Sequence, residues 1–361
     1  MGPTGQVRVA QIHPTRQCNL RCLHCYASSS PQITETLNFE LLKSAITDLA
    51  AENYNWISFS GGEPTAYVPL PVLLRHAKRL TLKTMLVTNG IMLNQRRLDE
   101  LAPLTDLMVL SLDGLPESHN KLRGSDKAFE MMASRLPLIR ERQIPFGFIF
   151  TLTRHNLNEL PWVMEFALAE GAKLLQIHPL ERVGSAATNL AGSVPDALEG
   201  AYAYLLQQEL QKRAGDKLAL QLNLVHSDVL KDDPRRFYAE PGSIDPDLPL
   251  GEVISPLVIE SDGTVVPMQY GFPRRFALGN LYQASLRTLS AEWRQGAYRQ
   301  FEAICGQVHQ QATESEPHFF NWYELLGEMA REFPATQELA PPEESGLWKA
   351  RSIGSGNRAA A

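Results

Sequence analysis

The chain has 361 residues, 44% of them hydrophobic and 20% charged, with 24 glycines and 24 prolines, a composition that excludes collagen, a disulfide-stapled miniprotein and dominant disorder. With 34 basic against 40 acidic residues the formal charge is −6, so no basic field favours nucleic acid as a major partner. No apolar run approaches the roughly 20 residues of a membrane span, and residues 1–10 lack a signal-peptide core, which makes the cytosol the expected compartment, with no membrane partner.

Apolar, β-rich runs alternate with segments of helical period over residues 7–178, the pattern of repeated β-α units on a parallel sheet. Strands are expected at 7–12, 56–60, 83–88, 107–112, 146–152 and 174–178, and helices at 39–52, 70–80, 94–102, 128–141 and 157–170. In the first of these helices Phe39, Leu42, Ile46, Leu49 and Ala50 form one apolar stripe. Six repeats are too few for a closed eight-stranded barrel, so the fold class is α/β, a partial (β/α)6 TIM barrel. Beyond Pro179 the rhythm changes. A helix at 196–214 and an apolar stretch at 218–225 precede a Pro-, Gly- and Asp-rich boundary loop at 232–251. Residues 253–259 and 264–266 then read as a hairpin around Ser261, Asp262 and Gly263, since Asp-Gly tolerates positive φ, and a helix follows at 286–304. The expected units are the barrel at 1–230, a small α+β extension at 250–310, a helical segment at 311–340 and a flexible tail at 341–361.

Cysteine usage carries the chemistry. Three of the four cysteines, Cys18, Cys22 and Cys25, fall in one eight-residue window after the first strand, and Cys305 stands alone far downstream. In a reducing compartment such clustering indicates metal ligation rather than a disulfide framework. Three thiolates can hold three irons of a cubic cluster and leave the fourth iron open, and an open position is where a substrate or cofactor binds. The alternative from the residues alone is a structural zinc completed by His24 or a distant ligand.

The Cys-x3-Cys-x2-Cys spacing, with His24 in the aromatic position and Tyr26 after the last cysteine, resembles the radical S-adenosylmethionine (radical SAM) superfamily. Gly61-Gly62-Glu63-Pro64 after the second strand is similar to the superfamily's glycine-rich segment, and Ser111-Leu112-Asp113-Gly114 with His119 through Arg123-Gly124 resembles the region ending the fourth strand. These similarities cover about residues 7–190. The resemblance implies one [4Fe-4S] cluster on Cys18, Cys22 and Cys25. Its open iron would chelate S-adenosylmethionine, whose reductive cleavage yields a 5'-deoxyadenosyl radical that abstracts hydrogen from a substrate. Cofactor-binding candidates are Tyr26, Gly61, Gly62, Glu63, Ser111 and Arg123. Glycines at 61 and 62 permit close backbone approach, Glu63 offers an acceptor for an ammonium group, and Ser111 and Arg123 offer donors to a carboxylate. Thr88, Asn89 and Gly90, with Thr151 or Thr153, are ribose candidates that could equally be caps. An external electron donor of flavodoxin or ferredoxin type is implied.

Residues 258–267, with Leu278-Gly279-Asn280-Leu281 and Trp293, resemble the SPASM or twitch extension of the same superfamily, but Met268 and Ala284 stand where cysteines for auxiliary clusters are expected. The expectation is a degenerate extension without those clusters, which favours redox-neutral outcomes. Relatives of this architecture modify ribosomal peptides, proteins or tetrapyrrole precursors. The first expectation here is a peptide or protein substrate, with a separate leader-recognition protein because only 17 residues precede Cys18; the alternative is a small-molecule or tetrapyrrole precursor. A third reading, from another class, is a non-catalytic zinc or iron-sulfur electron-transfer protein. His178, Glu181, Arg182 and Tyr270 are substrate-contact candidates with loop or packing roles as the alternative.

Overall fold

The computed structural model describes residues 6–232, 248–314 and 319–333. The expected tail at 341–361 and most of the expected boundary loop lie outside them. In chain order the elements are β1 (Val9–Ile12), α1 (Phe39–Ala51), β2 (Trp56–Phe59), α2 (Leu70–Arg79), β3 (Lys83–Thr88), α3 (Gln95–Leu101), β4 (Leu107–Ser111), α4 (Pro116–Arg123), α5 (Ala128–Ala133), α6 (Leu136–Glu141), β5 (Phe146–Leu152), α7 (Leu160–Glu170) and β6 (Leu174–Pro179). They continue with α8 (Ser185–Asn189), α9 (Ala197–Ala214), β7 (Ala219–Leu222), β8 (Val225–His226), α10 (Ser227–Asp232), α11 (Leu250–Val253), β9 (Leu257–Ile259), β10 (Thr264–Pro267), β11 (Gly279–Asn280), α12 (Leu286–Gln295), α13 (Ala297–Glu314), β12 (Phe319–Phe320) and α14 (Trp322–Glu332).

Local signals set the helix starts. Asn38 caps α1 by accepting from the amides of Glu40 and Leu41, and Asp196 opens α9 with a capping box closed by Glu199. Two expected helices are broken: 128–141 becomes α5 and α6, and 286–304 becomes α12 and α13, parted at Gly296. The apolar stripe of α1 is buried at Leu42, Ala45, Ile46 and Leu49, which packs the helix on the outer face of the sheet.

The main sheet has ten strands in the order β11-β10-β9-β1-β2-β3-β4-β5-β6-β7. Each of β1 to β7 runs parallel to its neighbour in a β-α succession, which gives an α/β fold with an open, partial barrel rather than a closed one. The C-terminal strands extend the same sheet: β9 pairs parallel with β1, and β10 folds back antiparallel on β9. Their connection is the expected tight turn, with Gly263 at φ +87° and Asp262 accepting from the Thr264 amide.

Strand alternation shows what the barrel does with its two faces. Ile57, Phe59, Leu86, Phe148, Phe150, Leu175 and Ile177 point outward and are fully buried under the helices. The other parity carries Gln11, Met85, Val87, Ile149, Thr151, Gln176 and His178, all only half-buried. A closed barrel fills its interior with bulky branched side chains; here Val87 and Ile149 share that face with small or polar groups, Ser58, Ser111 and Gly147 among them. The mouth at the strands' C-terminal ends receives the cysteine loop. Among the described residues no helix is long and apolar enough to cross a membrane.

Candidate functional site

The loop after β1 is pinned on several sides before any cysteine is considered. The Thr15 hydroxyl and the Arg16 amide both donate to the Glu35 carbonyl, at 2.8 and 3.0 Å, and the Leu23 amide donates to the Leu122 carbonyl at 2.8 Å. From below, the amides of Gly62 and Glu63 donate to the carbonyls of Thr15 and Gln17, each at 2.9 Å. This explains the two glycines. A Cβ on Gly62 would stand 2.2 Å from the Gln17 carbonyl oxygen, and one on Gly61, at φ +113°, 2.8 Å from that of Thr15. The close approach these glycines permit is to the cysteine loop itself, where the sequence suggested approach to a ligand.

All three clustered cysteines are free thiols, and each has a donor aimed at its sulfur. The Leu20 amide lies 3.4 Å from Cys18 Sγ and the Ser29 amide 3.3 Å from Cys25 Sγ, while Arg123 Nη1 and Asn89 Nδ2 stand 3.9 Å from the sulfurs of Cys22 and Cys18. Donors of this kind suit thiolates bound to iron. Burial works the other way on the unliganded thiols: it pushes Cys18 up to about 12, against the Leu20 amide, and raises Cys22. Loading therefore releases protons. Among the described residues no three His, Cys, Asp or Glu side chains converge as ligands of a single ion.

Beside Cys22 lies a buried ion pair that the sequence reading did not assign. Asp113 is wholly buried; its carboxylate accepts from Arg123 Nε at 2.6 Å and from the Thr151 amide at 3.1 Å. Burial alone would raise its pKa, but the Arg123 guanidinium, then His24, outweigh it and hold the carboxyl well below the usual range. His119 accepts the Asp113 amide on Nδ1 at 3.1 Å, and burial lowers it and His24 to about 4, so both rings stay neutral. The parity of β4 places Asp113 two residues past Ser111 on the lumen side, the signal that could have found it.

Several candidates have partners other than those expected. Glu63, anticipated as an ammonium acceptor, is fully buried and braced: Oε1 accepts from the Thr65 amide and hydroxyl and from the Thr88 hydroxyl at 3.1, 2.6 and 2.7 Å, and Oε2 from the Asn89 amide at 2.9 Å. It ties the end of β2 to the end of β3. Arg123, anticipated at a ligand carboxylate, spends Nε on Asp113. The Thr153 amide and hydroxyl both donate to Asn156 Oδ1, at 2.7 and 2.9 Å, and Asn89 Nδ2 donates to Asn19 Oδ1 at 2.8 Å. Ser111 ends β4 on the lumen side, 6% exposed, and Tyr26 bonds Ser60 Oγ at 3.2 Å. Across the mouth, His178 contacts Asn223 at 3.0 Å and is lowered to about 4 by burial, while Glu181 accepts from Asn321 at 3.1 Å, joining the loop after β6 to the start of α14. Arg182 is exposed. Tyr270 is brought to the mouth, whereas Met268 is packed in the core, 4% exposed, and Cys305 sits in the helical core at 1%.

Residues 12–167 match the family model described as the radical SAM superfamily. Over 165 residues, 45% of this chain and 41% of the relative, the chain is 34% identical to the Fe-coproporphyrin III synthase of Methanosarcina barkeri. It is 29% identical to the PqqA peptide cyclase of Ruegeria pomeroyi over 70% of this chain and 65% of that protein. The chain thus spans less than two thirds of the length of either relative. The structure of Streptococcus suis SuiB bound to S-adenosylmethionine shares the fold, with a TM-score of 0.63 at 15% identity over 82% of this chain and 68% of that one. A [4Fe-4S] cluster and S-adenosylmethionine are the cofactors of this superfamily.

Proposed function

We propose, on the premise that residues 12–167 form a radical SAM domain, that the chain is an enzyme generating a substrate radical on a peptide or protein at the mouth of its open barrel. The observation that carries the reading is the cysteine loop after β1: three thiols with N–H groups aimed at their sulfurs. The cluster and S-adenosylmethionine, when bound, supply reductive carbon–sulfur cleavage and the 5'-deoxyadenosyl radical. The chain's own residues supply position and shelter. Cys18, Cys22 and Cys25 hold the metal, Asp113 fixes Arg123 against the Cys22 sulfur, and Glu63 fixes the floor beneath the loop. Gly61 and Gly62 seat the cysteine loop, and Tyr26 and Ser111 line the space left for S-adenosylmethionine.

The lumen favours a peptide over a tetrapyrrole. Gln11, Ser58 and Thr151 offer neutral donors and acceptors suited to amides, joined by Gln176 and His178, which pair with Gln221 and Asn223. The several carboxylates of a tetrapyrrole call for guanidinium or ammonium groups, and of the two candidates named above Arg123 is committed to Asp113 while Arg182 is exposed after β6. An external flavodoxin- or ferredoxin-type donor, a separate leader-recognition protein and a cytosolic setting complete the proposal, and redox-neutral chemistry follows if Met268 and Ala284 mark lost auxiliary clusters. The test is anaerobic reconstitution with iron and sulfide analysis, then assay of 5'-deoxyadenosine with a strong reductant. Wild-type protein should release it and the triple Cys18→Ala, Cys22→Ala, Cys25→Ala variant should not. A colourless wild type, or a cluster that never cleaves S-adenosylmethionine, overturns the reading in favour of a zinc or electron-transfer protein.

A further inference from the structure

His13 follows β1 and continues the parity of Val9 and Gln11, so its ring belongs to the lumen side at the mouth. It is 0% exposed, and neither ring nitrogen has a hydrogen-bond partner. Buried polar groups are nearly always paired, because their lost hydration is otherwise uncompensated. An imidazole with both nitrogens orphaned is therefore missing something. Its cover is aromatic and comes from the C-terminal strands: Tyr270, just past β10, lies flat on the imidazole with centroids 4.8 Å apart and planes at 11°. Tyr26 stands edge-on to both rings, at 5.7 and 5.5 Å. Gly61 closes another side, since a Cβ there would meet His13 Cα and Cβ at 3.2 Å.

We propose that His13 is a binding residue for S-adenosylmethionine and that Tyr270 covers it until the ligand arrives, an inference that rests on the radical SAM reading. The location follows from its neighbours: His13 packs against Tyr26, which lines the space assigned to that ligand, and against Gly61, which seats the cysteine loop. The chemistry follows from its protonation. Burial lowers the ring to about 3, so at neutral pH it offers one donor and one acceptor, a match for hydroxyls and ring nitrogens rather than for a lone charge. Tyr270, released from the imidazole, can stack on the ligand instead. Through this pair the C-terminal strands report on the occupancy of a pocket built by the barrel.

Stability and binding respond oppositely to the loss of the imidazole, and both are measured on the full chain. His13→Phe removes two orphaned nitrogens, so the cluster-free protein should melt a few degrees higher than wild type. The same variant, reconstituted and still carrying wild-type iron, should bind S-adenosylmethionine about tenfold more weakly in equilibrium dialysis, the loss expected for a missing ligand hydrogen bond. His13→Asn keeps one donor and one acceptor and should stay within about threefold of wild type; should the Phe variant fail to fold, His13→Leu takes its place. Unchanged affinity in the apolar variant overturns the proposal, as does an equal loss in His13→Asn, which marks a purely structural role. Failure of the wild type to bind S-adenosylmethionine overturns the radical SAM reading instead.

Discussion

Four histidines, His13, His24, His119 and His178, are held neutral by burial, with pKa values lowered to about 3, 4, 4 and 4. In the unfolded chain each returns to about 6.5. Between those values the unfolded chain takes up protons that the folded chain refuses, so this contribution to stability is complete above about pH 6.5 and is lost as the pH falls toward 4. One pH unit of such a difference is worth about 1.4 kcal/mol per group. Melting temperature measured without cofactor should therefore decline from pH 6.5 to 4.5. His119→Gln, which keeps an acceptor for the Asp113 amide, should make the decline shallower; a profile parallel to wild type would remove His119 from the account. At this scale spacing is the signal that singles out Cys18, Cys22 and Cys25 in the sequence, and the structure adds the donors at their sulfurs. It was unreadable where partners come from another strand. Nothing near Glu63 in the chain announces that Thr88 and Asn89, 25 and 26 positions on, will occupy its oxygens.

Among the elements, the turn after β2 constrains the cysteine loop most directly. Gly62→Ala places a methyl group 2.2 Å from the backbone oxygen of Gln17, and neither partner is the end of a flexible side chain. The segment carrying Cys18 must shift, so this variant should lose iron on reconstitution as well as weaken cofactor binding. Gly306→Ala is the matched control: it lies in α13 with nothing within 4 Å of its added Cβ, and should keep full iron and gain about 0.5–1 kcal/mol of stability. Full iron in Gly62→Ala would show that the loop yields without cost. Strand positions were legible from apolar alternation, and the hairpin from Asp262-Gly263. The helix breaks were not, because α5 and α6 keep a common apolar period through Met132, Leu136 and Ile139, and periodicity does not register a single lost backbone turn.

For the molecule as a whole, the barrel and the C-terminal strands share one sheet, so domain boundaries drawn from composition at 230 and 250 mark a change in sequence rhythm rather than a gap in hydrogen bonding. Cys305 lies within α13, 1% exposed among Ile304 and Val308, and burial raises its thiol strongly. We expect about four irons per reconstituted chain, the content of one cubane, unchanged by Cys305→Ala. A count near twice that, halved by the substitution, would reveal a second cluster and withdraw the preference for redox-neutral chemistry. The pairing of β9 with β1 carries a last consequence. Ala10, Gln11 and Ile12, the residues that lead into the cysteines, are flanked on one side by β2 and on the other by Leu257, Val258 and Ile259. A polypeptide ending before β9 would leave that second side as a bare, apolar edge, the kind that recruits stray strands from other molecules. Truncation would yield a self-associating fragment rather than a minimal enzyme, and during synthesis β1 must wait unguarded until some 250 further residues have emerged.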